Sequence, residues 1–160
     1  MASDFLLEID GIKGESKDAK HPGTLEITSF SWHESNPGSF SMGTGGGSGK
    51  VSLGNFSFTT QLSAASPSLM KSCSTGDHIK KATLFVRKQG GEQLDYYVWK
   101  FTDLIVTSFS TSGADGSGGL PQESIAFDYG KIEINYQTQD DKGVLSSPNI
   151  FTYDQRTKTS

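Results

Sequence analysis

Apolar and polar residues alternate along most of this chain, and the period of two predicts strands rather than helices. Residues 24–33 place Phe30 and Trp32 on one side and Ser29, Ser31 and His33 on the other. Further strands are expected at 5–10, 51–62, 81–88, 94–111 and 123–139. The parity of the apolar positions changes near Gly54, which predicts a bulge there, and changes again near Gly130. Gly90-Gly91 between two strand-like runs reads as the turn of a hairpin. The run 94–111 is long enough to serve two pairings. One helix interrupts the pattern. It has Ser66 as its N-cap, Pro67 as its first residue and Gly76 as its stop, with Leu69, Met70 and Cys73 on one apolar face.

Three stretches lack any period and are read as loops: 13–23, 34–50 and 112–122. The second is longer than most connections inside a compact domain, and such loops usually carry function. Its glycine cluster followed by Lys50 invites comparison with a phosphate cradle. That cradle needs a hydroxyl residue after the lysine, a glycine five positions before Gly49 and a helix downstream. Here Val51 follows Lys50, Thr44 stands where the glycine belongs, and the next run is strand-like. The dinucleotide fingerprint fails as well, since Ser48 occupies its last glycine position. The loop is read instead as a connection between strands whose Phe40 and Met42 can dock on another surface.

The hydrophobic share is only 33% and the chain holds 19 glycines, which suits short strands, long loops and a core completed by self-association. The net charge of −4 argues against a nucleic-acid grip, which needs a basic stripe. The single cysteine, Cys73, excludes an internal disulfide and is read as a small buried apolar residue. The first residues lack the basic and apolar segments of a signal peptide, and no stretch is apolar enough to span a membrane.

A search for chemistry finds little. His21, His33 and His78 are far apart and are read as surface residues, no Ser elbow is present, and Asp115 and the Asp140-Asp141 pair lack a calcium-loop or glycosidase setting. No cofactor or metal is expected, and no enzyme activity. Tyr97, Trp99 and Phe101 share one face of a strand and are read as core, with a sugar-stacking platform as the alternative. The residues thus predict a mainly β domain with one short helix, large glycine loops and a tendency to assemble.

Several segments together resemble the Hcp (haemolysin-coregulated protein) family of type VI secretion systems. They are the K-G-E-S run (Lys13 to Ser16), Trp32, the glycine loop, and L-M-x-x-C-S-x-G at the helix end (Leu69 to Gly76). The likeness spans most of the chain as one domain over 1–160, with 138–160 poorly matched. The resemblance implies a two-sheet β-barrel with a flanking helix, forming hexameric rings that stack into the inner tube of a contractile injection apparatus. It implies a VgrG-type spike, a contractile sheath and small effector proteins as partners, without nucleic acid or membrane insertion. It also implies assembly in the bacterial cytoplasm and export without a signal peptide. On that reading the glycine loop is a contact arm between subunits or rings, with Phe40, Met42, Gly45, Gly46, Gly47, Lys50 and Val51 as contact residues. Ser29 and Ser31 point away from the core, towards the lumen or the outer wall, and the lumen is the expectation taken forward. The alternative is a monomeric β-sandwich module that binds carbohydrate.

Overall fold

The computed structural model describes residues 3–38, 50–89, 93–116 and 119–160. Phe40, Met42, Gly45, Gly46 and Gly47 therefore lie outside the described residues. The strands are β1 (Ser3–Ile9), β2 (Leu25–Ser31), β3 (Glu34–Ser35), β4 (Ser52–Leu53), β5 (Phe56–Gln61), β6 (Ile79–Lys88), β7 (Asp95–Ser112), β8 (Gln122–Tyr136) and β9 (Asn149–Asp154). The helix is α1 (Ser66–Thr75).

Six antiparallel strands close on themselves in the order β5-β2-β1-β6-β7-β8, with β8 returning to β5. Closure covers most of the open edge that a flat sheet of this size would expose, though β1 and β2 pair at only two positions. The strand β7 is used twice, as its length predicts. Its first half pairs with β6 and its whole length with β8, while α1 packs beside it. The strand β8 is shared in the same way, first with β5 and then with β9. The tail over 138–160, poorly matched by the resemblance, thus supplies a strand. It shows no clean alternation, since Asn149 and Ile150 are exposed and Phe151 to Asp154 are all half-buried.

Inward-facing residues of all six strands form one core. Phe56, Phe58, Phe101 and Phe127 are fully buried, and Trp99 and Tyr129 pack among them. Burial of Trp99 and Phe101 bears out the core reading of that strand and leaves them no free face for a sugar. The parity change near Gly130 is present, and β7 shares it. Phe101 and Leu104 are buried opposite Ile132 and Tyr129, so both strands turn over together. Asp103 takes a left-handed φ of 54° at that point. The Arg156 guanidinium bonds Asp103 and Asp154 there, and a Cβ at Gly130 would stand 3.0 Å from the Arg156 side chain.

Three local expectations are corrected. The run 51–62 is not one bulged strand: β4 belongs to a separate two-stranded sheet with β3, and the chain turns into the barrel at Gly54. A side chain at Gly54 would meet the His33 ring at 2.3 Å, so glycine is needed for that close approach. Ser66 is not the N-cap. Ala65 takes that place, and Ser66 is buried, accepting the Ser63 N–H and donating to Glu123 Oε1 at 2.7 Å. Met70 faces out, while Leu69 is buried and Cys73 half-buried; Gly76 ends the helix in a left-handed turn, as expected.

Candidate functional site

The serines singled out from strand parity lie on the outer face of β2, and the register shows what surrounds them. Ser31, Ser57, Ala126 and Ser108 fall in one row across β2, β5, β8 and β7. Ser29, Thr59, Ser124 and Ser110 form the next row, and Gln61, Gln122 and Ser112 continue the pattern on three strands. No residue of these rows carries a charge, and none is buried. Glu26 and Asp128 stand only at the margins of the patch. Sequence reasoning found two members of this face and missed the rest, because register is needed to bring four distant segments side by side.

Two bulges enrich the face. The register of β2 against β5 shifts between Ile27 and Ser29, so Thr28 and Ser29 both point outward. The register of β7 against β8 shifts between Val106 and Ser108, and Thr107 and Ser108 are both exposed in the same way. An extra residue on one strand presents two consecutive side chains to one face, where a regular strand presents one. The added hydroxyls bond within the sheet. Thr59 Oγ1 shares hydrogen bonds with Ser29 Oγ at 2.6 Å and Thr28 Oγ1 at 2.7 Å. Thr107 accepts from Asn55 at 2.9 Å and donates to the Ala126 carbonyl at 3.2 Å. The outcome is a polar but uncharged surface that satisfies many of its own hydrogen bonds. Such a surface offers a passing protein few fixed anchors, because it presents neither apolar area nor charge.

The base of the glycine loop is a second region of interest. The two-residue strands β3 and β4 clamp its ends together. Lys50 is exposed and Val51 half-buried; they line a hollow of about 390 Å³ with Leu53, Tyr153, Gln155 and Lys158. Behind it, Tyr129 donates to the Gly54 carbonyl at 2.9 Å and accepts from Trp32 Nε1. Burial pushes the Tyr129 hydroxyl up to about 12, opposed by the Trp32 hydrogen bond, so it stays a donor at any physiological pH. The structure thus separates the two sets of predicted residues. Ser29 and Ser31 sit in the hydroxyl face, while Lys50 and Val51 sit at the foot of the loop.

On the opposite strands a strap covers the barrel. The strap runs from the K-G-E-S segment to Thr24 and is folded back on itself by Gly14 N–H to Gly23 O, Gly23 N–H to Ser16 O and Ser16 N–H to Thr24 O. Gly14 is required, since a Cβ there would lie 2.4 Å from the Thr24 carbonyl oxygen. The buried Arg87 guanidinium donates to Asp18, and its Nε stands 3.5 Å from Asp4. That hydrogen bond holds the Asp18 carboxyl at about 2, with help from the His21 and Lys20 amides and against the opposing cost of burial. His21 is no surface residue of the kind expected. Its ring stacks on Phe85 at 3.8 Å and its Nε2 lies 2.9 Å from Asp95. Among the described residues no three metal-ligating side chains converge, and no helix is long and apolar enough to cross a membrane. Asp140 serves a turn, accepting the Lys142 and Val144 amides.

Comparison with known proteins accounts for this architecture. Residues 6–136 match the family model described as type VI secretion system effector, Hcp. Protein hcp1 of Pseudomonas aeruginosa is 38% identical over 140 residues, covering 87% of this chain and 86% of that protein. A solved type six secretion system protein superimposes with a TM-score of 0.93 at 29% identity, covering 99% of both chains. Hcp1 from Salmonella typhimurium gives a TM-score of 0.80 at 33% identity, again over 99% of each chain. With the closed barrel, the flanking helix and the strap built on K-G-E-S in place, the chain belongs to the Hcp family of type VI secretion proteins.

Proposed function

We propose that this chain is the repeating subunit of a type VI secretion tube, with its uncharged hydroxyl face turned towards the lumen. Six copies close into a ring, rings stack, and the stack is exported with a spike at its tip when a surrounding sheath contracts. Assembly takes place in the bacterial cytoplasm. The observation that supports the reading best is the pair of rows through Ser29 and Ser31: a four-strand surface with no charge and no large apolar side chain. A wall of this kind lets small effectors of either charge reside in the lumen and leave it. Lys50 and Val51, at the foot of the glycine loop, are the described part of a contact arm that Phe40, Met42, Gly45, Gly46 and Gly47 continue.

The test is the mass of the purified protein by size exclusion with light scattering, with the peak imaged by negative stain. Six times the chain mass and open rings are expected. A monomer at all concentrations would overturn the tube reading. In the ring, cysteines at Ser29 or Ser31 should react with a small maleimide and be slowed towards one too large for the lumen. Equal rates with both reagents would place the hydroxyl face on the outside instead.

A further inference from the structure

The strands β1 and β2 pair only at Leu6 with Glu26 and Leu7 with Leu25. Beyond those pairs they diverge. The edge of β1 over Ser3 to Phe5 bonds β6 alone, and the edge of β2 over Ile27 to Ser31 bonds β5 alone, among the described residues. The split opens a groove of about 620 Å³. Among the described residues, Asp4, Glu15, Asp18 and Glu26 line it against the single cation Arg87, and Leu62 and Leu120 stand exposed at its rim. Arg87 is 4% exposed, and its Nη1 has no hydrogen-bond partner among the described residues. The groove therefore combines free strand edges, an acidic wall, an apolar rim and a buried donor in search of an oxygen.

Those features define an occupant: an extended segment that offers main-chain groups to the edges, a carbonyl to Arg87, an apolar side chain to the rim and cations to the wall. The same chain displays a surface of that chemistry elsewhere. The hollow at the foot of the glycine loop carries Lys50 and Lys158, with Val51 and Leu53 beside them and no carboxylate in its lining among the described residues. Lys50 and Val51 lie outside any strand. Two different, complementary patches on one chain make a head-to-tail contact, the kind that closes rings.

We infer that the acidic groove between β1 and β2 receives the Lys50–Lys158 face of a second copy of this chain. The inference rests on the ring reading above and names the two surfaces that meet. Glu15, Glu26, Lys50 and Lys158 are all exposed, so reversing their charge leaves the barrel intact.

The experiment uses two full-length variants, Glu15→Lys with Glu26→Lys, and Lys50→Glu with Lys158→Glu, measured beside the unaltered protein by light scattering at physiological salt. Each variant alone meets itself with like charges and is expected to associate about tenfold more weakly or worse. Mixed in equal amounts they should recover the assembly, since an alternating ring restores attraction at every contact. Unaltered protein that stays monomeric would fail the ring reading itself. Unaltered protein that assembles, with variants that assemble as well alone as it does, would overturn the pairing of these two faces. So would variants that fall apart alone and stay apart when mixed.

Discussion

Along β2, β5, β8 and β7 the outer surface carries rows of hydroxyls and amides, whereas β1 and β6, on the other side of the barrel, carry Asp4 and Arg87 under a strap tied down by Asp18 and His21. The first region has no charge within its rows, and its bonds run among neighbouring short side chains. The second draws together charges from residues 4, 18 and 87, and the Arg87–Asp18 contact ties the strap to β6. A charged pair drawn from water costs energy unless it is well matched, and it fixes one geometry when it is. The strap side is therefore built for position, and the hydroxyl side for indifference to what lies against it.

Removing the matched charge should break that contrast most severely. Arg87→Leu leaves Asp4 and Asp18 without their cation, and the Tm should fall by roughly 6–12 °C in a thermal melt. Gly14→Ala pushes a methyl group into the Thr24 carbonyl and should cost about 2 kcal/mol in denaturant unfolding, with the barrel fold retained. A stability unchanged by either substitution would mean that the strap is ornament. A gentler probe is pH. The Asp18 carboxyl is held below its ordinary value, so its contribution is full above 3.8 and is lost as pH falls through about 2. The protection of the Lys20 and His21 amides, which donate to Asp18, against hydrogen exchange should fall over that window relative to the free-peptide rate at each pH. Asp18→Asn should remove the pH dependence. The smallest effects belong to the hydroxyl face, where Ser29→Ala or Ser124→Ala should shift stability by no more than about 0.5 kcal/mol. A cost well above that would show these hydroxyls to be structural, and the contrast between the two sides would fade.

The distinction was only half visible in the sequence. Alternation exposed the strands, the outward aim of Ser29 and Ser31, and the parity change near Gly130, because a period of two survives in one dimension. The end of α1 at Gly76 was legible for a similar local reason. What stayed hidden depends on pairing across distance. Arg87 meets Asp18 and Glu123 meets Ser66 only once the barrel has closed, and no local spacing links those residues. The bulges at Thr28 and Thr107 left no mark either, since Thr and Ser suit a strand on either side of a slip. Asn149 to Asp154 lacks clean alternation, so β9 could be recognised only through its pairing with β8.

The joint turnover of β7 and β8 carries a consequence for how this protein can change length. Asp103 and Gly130 lie opposite each other, and each strand spends two residues there before its buried positions resume. A residue added to one strand alone has to be absorbed as a bulge, as Thr107 is in β7; without one it would invert everything beyond it relative to its neighbour, turning Trp99 or Ile132 out to water. A length change in this ribbon therefore needs either a local bulge or a matched change on both strands. Single insertions belong in the connections, where the register keeps no count.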